Sequence, residues 1–248
     1  MREGEARTDG AARVDRDEVP RAMKSDAGRN RKLLHFFNRR NFELQFSRLR
    51  EMDAAALHSV LQATLVPDNA TRNAAEAQLK TLRTHPGFLV ALLQIASHHE
   101  VAKPLRQAAG VILKNAIGRR WAHVPPEDQA PIRANILEVA LGETDSSMRD
   151  LLCECVKGIA QDEFPGCAHG TPPVEWTVLM PTIHRDLQTQ DVTHTMNALF
   201  ILQGLVDKFT YRRGALRGPM TMLVDTCFPL VLAIFQKVSL FIYFRAII

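Results

Sequence analysis

His184, Arg185, Asp186 and Leu187 stand in a row at the head of HRDLQTQD, residues 184–191. In protein kinases an Asp behind such a His-Arg pair takes the proton of a hydroxyl, and an Asn four residues past the Leu holds a metal. Here Asp191 occupies the Asn position. The sequence also has no Gly-rich loop or strand lysine upstream and no Asp-Phe-Gly downstream. The match is one of chance. The thiols fare no better as chemistry. Cys153 and Cys155 are two apart, so a helix points them to different faces, and neither Cys167 nor Cys227 completes a CxxC pair. They read as buried, reduced thiols of an intracellular protein. His98 and His99 are adjacent and diverge on a helix in the same way. No GxGxxG, P-loop or GxSxG motif occurs, and no pair of carboxylates stands in an apolar setting as an acid/base dyad would. The sequence therefore points to no catalytic residue, no metal site and no cofactor.

What remains is the framework. The chain has 248 residues, of which 46% are hydrophobic and 6% aromatic. Ala and Leu dominate while β-branched runs are rare, which favours packed helices. The net charge of +4 is unevenly spread. Residues 1–50 hold 13 Lys/Arg against 8 Asp/Glu, and the rest holds 18 against 19. The body is thus nearly neutral, which argues against direct nucleic-acid binding, because phosphate neutralisation needs clustered positive charge.

From residue 52 onward, helical periodicity alternates with stop signals. Leu57, Val60, Leu61 and Leu65 share one face of the first run. Asp68, Asp145 and Asp191 are placed as N-caps of later helices, and Pro104 opens another in the favoured first turn. First helices of successive pairs are expected near residues 53, 86, 126, 173 and 219. This spacing suits helix-pair repeats, each too small to bury its apolar face without a neighbour. The expected fold is all-α: a right-handed α-solenoid of HEAT-type helix pairs, about four to five repeats. Within PLRQAAGVILKNAIGRRW (residues 104–121), Ala108, Ala109 and Gly110 should let a neighbouring helix approach closely. Val111, Ile112 and Leu113 should fill the inter-repeat core, Trp121 should plug the end of the stack, and Asn115 should satisfy backbone groups.

The two ends differ from the middle. Residues 1–51 mix charged and small residues in a disordered composition, although residues 32–49 (KLLHFFNRRNFELQFSRL) are amphipathic enough to touch a membrane or a partner. The final helix is expected to run from about Pro219 to about Phe235. Gln236 and Lys237 interrupt the apolar run there, so a membrane span is not expected. Codons for Lys237-Val238-Ser239 can spell a splice donor, and the composition turns Phe/Ile/Tyr-rich beyond it. Residues 237–248 are therefore read as an apolar tail outside the native coding sequence.

Three helices carry a resemblance. They are ATRNAAEAQLKTL (residues 70–82), FLVALLQIA (88–96) and LRQAAGVILKNAIGRRW (105–121). An Ala-Glu-x-x-Leu helix falls at Ala75, Glu76 and Leu79. An apolar helix follows, then an Arg-x-x-Ala…Leu-Lys-Asn helix at Arg106, Ala109, Leu113, Lys114 and Asn115, closed by Trp121. In order and spacing this resembles the N-terminal module of the importin-β (karyopherin) nuclear transport receptors. Within the family it looks most like the importin-7/importin-8 subgroup, with the exporter of importin-α second. The resemblance covers residues 52–236. MDAAAL at Met52 looks like a natural start, which makes residues 1–51 an added leader. GCAHGTPPV (residues 166–174) departs from the family by lengthening a short link.

The resemblance implies a non-enzymatic nuclear transport receptor, here a truncated chain. Its second helices would line a concave surface and bind Ran-GTP, while Phe-Gly repeats of nucleoporins would bind between outer helices. Protein cargo would bind further along, and the receptor would shuttle between cytoplasm and nucleus through the pore. The Ran-binding candidates it implies are Arg72, Lys80, Arg106, Lys114, Arg149 and Lys157. The rival reading from another class is a membrane-associated helical scaffold using residues 32–49 and the apolar C-terminus.

Overall fold

Three aspartates set the phase of the chain. Asp68, Asp145 and Asp191 are extended residues whose carboxylates accept the backbone N–H three residues on: Thr71 at 2.7 Å, Met148 at 3.0 Å and His194 at 3.2 Å. Each fills one of the orphan donors of a helix start. They open α2 (Asn69–Leu82), α6 (Ser146–Glu163) and α8 (Val192–Phe209). The fourth second helix, α4 (Lys103–Arg120), has no side-chain cap and uses Pro104 in its first turn. Before each stands a first helix: α1 (Ala54–Thr64), α3 (Phe88–Ser97), α5 (Pro126–Leu141) and α7 (Leu179–Leu187). A further helix, α9 (Gly218–Ile247), follows, and Trp121–His123 form a 3-10 turn after α4. The computed structural model describes residues 54–165, 174–213 and 217–247.

Helices pack in sequence order, α1 on α2, α3 on α4, α5 on α6 and α7 on α8. Pairs then stack: α4 on α6 and α6 on α8 in the second layer, α1 on α3 and α3 on α5 in the first. The seam between α4 and α6 is the closest. Gly110 lies so near α6 that a Cβ there would come within 3.1 Å of Leu151 Cδ1 and 3.2 Å of Met148 Cε. Ala109 and Leu113 are buried beside it, as expected, and Trp121 is buried at the end of α4. Val111 is not in the core. It is 40% exposed, because the buried face of α4 follows Leu105, Ala109, Leu113 and Ile117 and leaves residue 111 opposite.

The helix α3 is apolar nearly all round and has eight buried residues. Its N-cap is Gly87, at φ 81°, a left-handed conformation that a side chain would strain. With no cap of its own, α3 takes one from the next repeat: buried Asp128 of α5 accepts from Gly87 N at 2.6 Å and Leu89 N at 3.2 Å.

Two boundaries differ from the sequence reading. The first helix of the fourth pair begins at Leu179, not near 173. Trp176 is buried just before it, and its backbone N–H donates to Glu163 O at 2.7 Å. That ties the link back to the end of α6 before α7 can start. At the other end, α9 runs through Gln236-Lys237 to Ile247. Gln and Lys are good helix formers, and no Gly or Pro lies between 236 and 247. The expected helix end near Phe235 rested on the interruption of the apolar run, which does not end a helix. The expectations for residues 1–51, the amphipathic run at 32–49 and most of the 166–174 link lie outside the described residues.

The α4/α6 seam generates a paired expectation. A Cβ on Gly158 would meet Ile117 Cγ2 at 2.9 Å, whereas one on Gly118 would meet nothing within 4 Å. Urea unfolding followed by circular dichroism should show Gly158→Ala destabilised by about 1–3 kcal/mol, from overpacking against a β-branched neighbour. Gly118→Ala should be stabilised by about 0.5–1 kcal/mol. Equal effects at the two positions would contradict the packing described.

Candidate protein-binding face

The second helices each bury one face and leave one in solvent. On α4 the solvent ridge carries Val111, Asn115 and Arg119. On α6 it carries Ser147, Asp150, Glu154 and Gln161, and on α8 Val192, Met196 and Gln203. Between the C-terminal ends of α4 and α6 opens a cleft of about 250 Å³, lined by Gly118, Arg119, His123, Gly158, Gln161 and Asp162. Such a face is built for contact, not for a reaction. Its thiols are shut away: burial pushes the Cys153 thiol up to about 12, and the Cys155 thiol is raised too, by the same cause first. Neither is a nucleophile at neutral pH. Among the described residues no cluster of His, Cys, Asp or Glu could hold a metal ion.

The six sequence candidates separate. Arg106 does not reach the surface. It is 6% exposed; its Nε donates to Ala96 O at 2.9 Å and its Nη2 pairs with buried Glu143. It is a strut between repeats and is withdrawn from the binding face. Its neighbours explain why: Leu105, Ala109, Leu113 and Ile117 are all buried, and Arg106 lies within that arc. The other five lie at or near the surface. Arg72 donates to Asn69 Oδ1 at 2.5 Å, and Lys80 is exposed in the last turn of α2. Lys114 is half-buried, close enough to the Cys155 thiol for its charge to oppose that thiol's rise. Arg149 pairs with Asp150 at 3.1 Å and lies 3.9 Å over the Phe200 ring. Lys157 pairs with Glu154 at 2.8 Å, and its methylenes cross Gly204 where any Cβ would strike them. Arg149 and Lys157 therefore join α6 to α8 before they can join a partner.

The sequence reading missed Arg119. It is exposed, as is Asn115, which was expected to be occupied with backbone groups. Arg119 carries no ion pair among the described residues, and neither do Lys80 and Lys114. The helical spacing 111, 115, 119 would have revealed the ridge once Leu113 and Ile117 were assigned to the core.

Behind this face two polar networks hold successive repeats. At one, Glu163 accepts from Trp121 Nε1 at 2.6 Å and from Arg133 at 2.5 and 2.6 Å, and the Arg133 guanidinium sits 5.9 Å over the Trp121 ring. At the other, two of the kinase-like residues find their real use. Buried Asp186 takes Arg185 Nε at 2.6 Å and His194 Nδ1 at 2.9 Å, and Arg185 reaches Glu138 at 3.0 Å. The Asp186 hydrogen bond raises the His194 pKa above its ordinary value, outweighing desolvation; Asp186, Asp191 and Glu138 add to the rise. Burial pushes the Asp186 carboxyl up, but His194 and Arg185 together bring it below the usual range.

Residues 75–141 match the importin-beta N-terminal domain. The chain is 28% identical over 191 residues to importin-8 of Danio rerio, a match covering 72% of this chain and 18% of that protein. Its fold is similar to that of the exportin Cse1 in its cargo-free, cytoplasmic state, with a TM-score of 0.65 and 19% identity over 75% of this chain and 20% of that one. It is similar also to Kap121p bound to RanGTP, with a TM-score of 0.50 and 19% identity over 68% of this chain and 17% of that one. The fold is thus a karyopherin-type HEAT solenoid, and this chain spans about 18% of the curated relative's length.

Two outcomes are expected of these networks. Arg106→Ala strands Glu143 as a buried, unpaired charge and should cost about 3–5 kcal/mol in urea unfolding; a near-neutral effect would mean the pair is not buried. His194 has a folded pKa above its unfolded value. Its contribution is therefore fully present below pH ~6.5 and lost as pH rises through the folded value. The stability gap between the wild type and His194→Asn should narrow from pH 6 to pH 9, and a gap that widens would contradict the Asp186 pairing.

Proposed function

We propose that this chain, whose residues 75–141 match the importin-beta N-terminal domain, is the Ran-binding end of a nuclear transport receptor of the importin-β (karyopherin) family. The match over residues 75–141 carries the reading. It covers the end of α2, all of α3 and α4, and α5. The family's members are transport receptors and not enzymes.

The surface proposed for Ran in its GTP form is the solvent ridge of the second helices. Kap121p, which shares this fold, is solved bound to RanGTP. On this chain Lys80, Lys114 and Arg119 supply cations with no internal ion pair among the described residues. Arg72, Arg149 and Lys157 stand on the same layer but already have side-chain partners. Cations spread over an otherwise near-neutral body steer an acidic partner and fix its register more than they add affinity. Arg119 also borders the cleft between α4 and α6, where a protruding partner side chain could enter. Phe-Gly repeats of nucleoporins and protein cargo are the further partners of the same proposal. Shuttling between cytoplasm and nucleus follows from it.

The test is biolayer interferometry of the 248-residue chain against Ran loaded with GTP or with GDP. Binding selective for GTP is expected, and the double variant Lys114→Glu/Arg119→Glu should slow association about tenfold while leaving the helical spectrum unchanged. No binding to either form by a folded chain would overturn the proposal.

A further inference from the structure

Between Asp207 and Asp225 the chain has no acidic residue. Residues 208–224 hold Lys208, Arg212, Arg213 and Arg217, whereas the other residues from 51 onward hold 14 Lys/Arg against 19 Asp/Glu. The near-neutral total of the body thus hides an acidic majority and a positive run where α8 ends and α9 begins. Two of the four cations have local uses. Lys208 stands in the last turn of α8, where a cation suits the helix dipole. Arg212 lies 4.9 Å over the ring of buried Phe209. Neither use extends to Arg213 and Arg217, which lie between the two helices. Both are exposed and, like Lys208, carry no ion pair among the described residues. Four residues of chain reach about 14 Å at most, so the two arginines can act on one ligand. Tyr211, 89% exposed, stands beside them.

We propose that this run is a docking site for an acidic peptide segment of a partner protein, with Arg213 and Arg217 taking its carboxylates and Tyr211 in contact with it. An arginine fork can hold a carboxylate through two N–H bonds at once. Tyr and Arg are the residue types enriched in protein interfaces, and Lys is depleted there. The Debye length is about 10 Å at 0.1 M salt, so cations this close reinforce one another. Surface charge alone would leave carboxylates interspersed, as they are on α6.

A nucleic acid fits less well. A duplex carries a charge about every 1.7 Å along its axis and continues past any short site. Exposed Asp207 and Asp225 bound the run at its two ends, and a long polyanion would meet them. A short acidic segment stops inside them. The site uses neither Lys80, Lys114 nor Arg119, so it does not rest on the reading of those residues as a face for Ran.

Fluorescence anisotropy of fluorescein-labelled octaglutamate, titrated with the 248-residue chain at low salt, tests the site. Saturable binding is expected. The double variant Arg213→Glu/Arg217→Glu should weaken it about tenfold with an unchanged helical spectrum, since both side chains are exposed. Tyr211→Ala should weaken it about threefold. The same charge reversal elsewhere, Arg39→Glu/Arg40→Glu or Lys114→Glu/Arg119→Glu, should change it by less than about twofold. Equal losses from all three double variants would overturn the proposal, because the peptide would then be reading net charge alone. Absence of binding by the folded chain would overturn it too. So would tighter binding of octathymidine that is lost in the Arg213→Glu/Arg217→Glu variant. Failure of the chain to bind Ran would alter none of these outcomes.

Discussion

Glu143 sits in the turn between α5 and α6, 2% exposed, and three repeats depend on it. Its carboxylate takes the guanidinium of Arg106 from the second pair and the backbone N–H groups of Thr144 and Asp145 at 2.9 and 2.8 Å. Its own carbonyl accepts from Asn197 of the fourth pair at 2.7 Å, and that amide also reaches Leu141 O at 2.8 Å. A buried carboxylate is tolerable only with its lone pairs filled. Here the filling groups come from the turn itself and from neighbours on both sides. Asp128 does the same work for α3, whose start has no cap of its own. At these two junctions the orphan groups of one helix pair are satisfied by a side chain of the next. Stability in such an array belongs to the junctions as much as to the repeats.

The same constraint shapes the binding face. A second helix that spends one side on α4/α6/α8 stacking has a single ridge left for solvent. Charges on the flanks of that ridge are drawn into stacking as well. Arg149 lies on Phe200 and Lys157 crosses Gly204, each held by a carboxylate one or three residues away on its own helix. Such pairs contribute little to stability when exposed, but they fix where the cations point and set α6 against α8. On this layer α6 carries mixed charge, while Lys80 of α2 and Lys114 and Arg119 of α4 have no ion pair among the described residues.

Much of the fold was legible because helix periodicity and capping are local. The Asp caps at 68, 145 and 191 mark their helices from sequence, and the small run at 108–110 predicts the close α4/α6 approach. The candidate binding residues were less legible, because a charge on an amphipathic helix reads as solvent-facing by default. Arg106 violates that default for a reason that lies 37 residues away, at Glu143. Its place beside Leu105 and within the arc of Ala109 and Leu113 was a visible warning. Val111 was assigned to the core by its type and Asn115 to the backbone by its habit, although the 3.6-residue period puts both on the ridge. The Trp121–Glu163–Arg133 and Asp186–His194 contacts had no local signal at all. They join residues whose separation is set by the stacking.

The two ends of the described stack obey different rules. A solenoid stays soluble when its outermost helices turn polar faces outward. At one end α2 satisfies this, burying only Ala75 and Leu79 along fourteen residues. At the other, α9 turns Val224, Phe228, Leu232 and Phe235 to solvent on a strip narrow enough to be a seam and wide enough to matter. Scattered exposed apolar residues need no explanation. A strip that keeps a helix-pairing period over four turns does, since drift in that period would be free on an unpaired surface. The polar residues near it, Asp225, Gln236 and Lys237, all stay off the seam. Each earlier first helix meets the second helix of its own pair, and no described helix stands in that relation to α9.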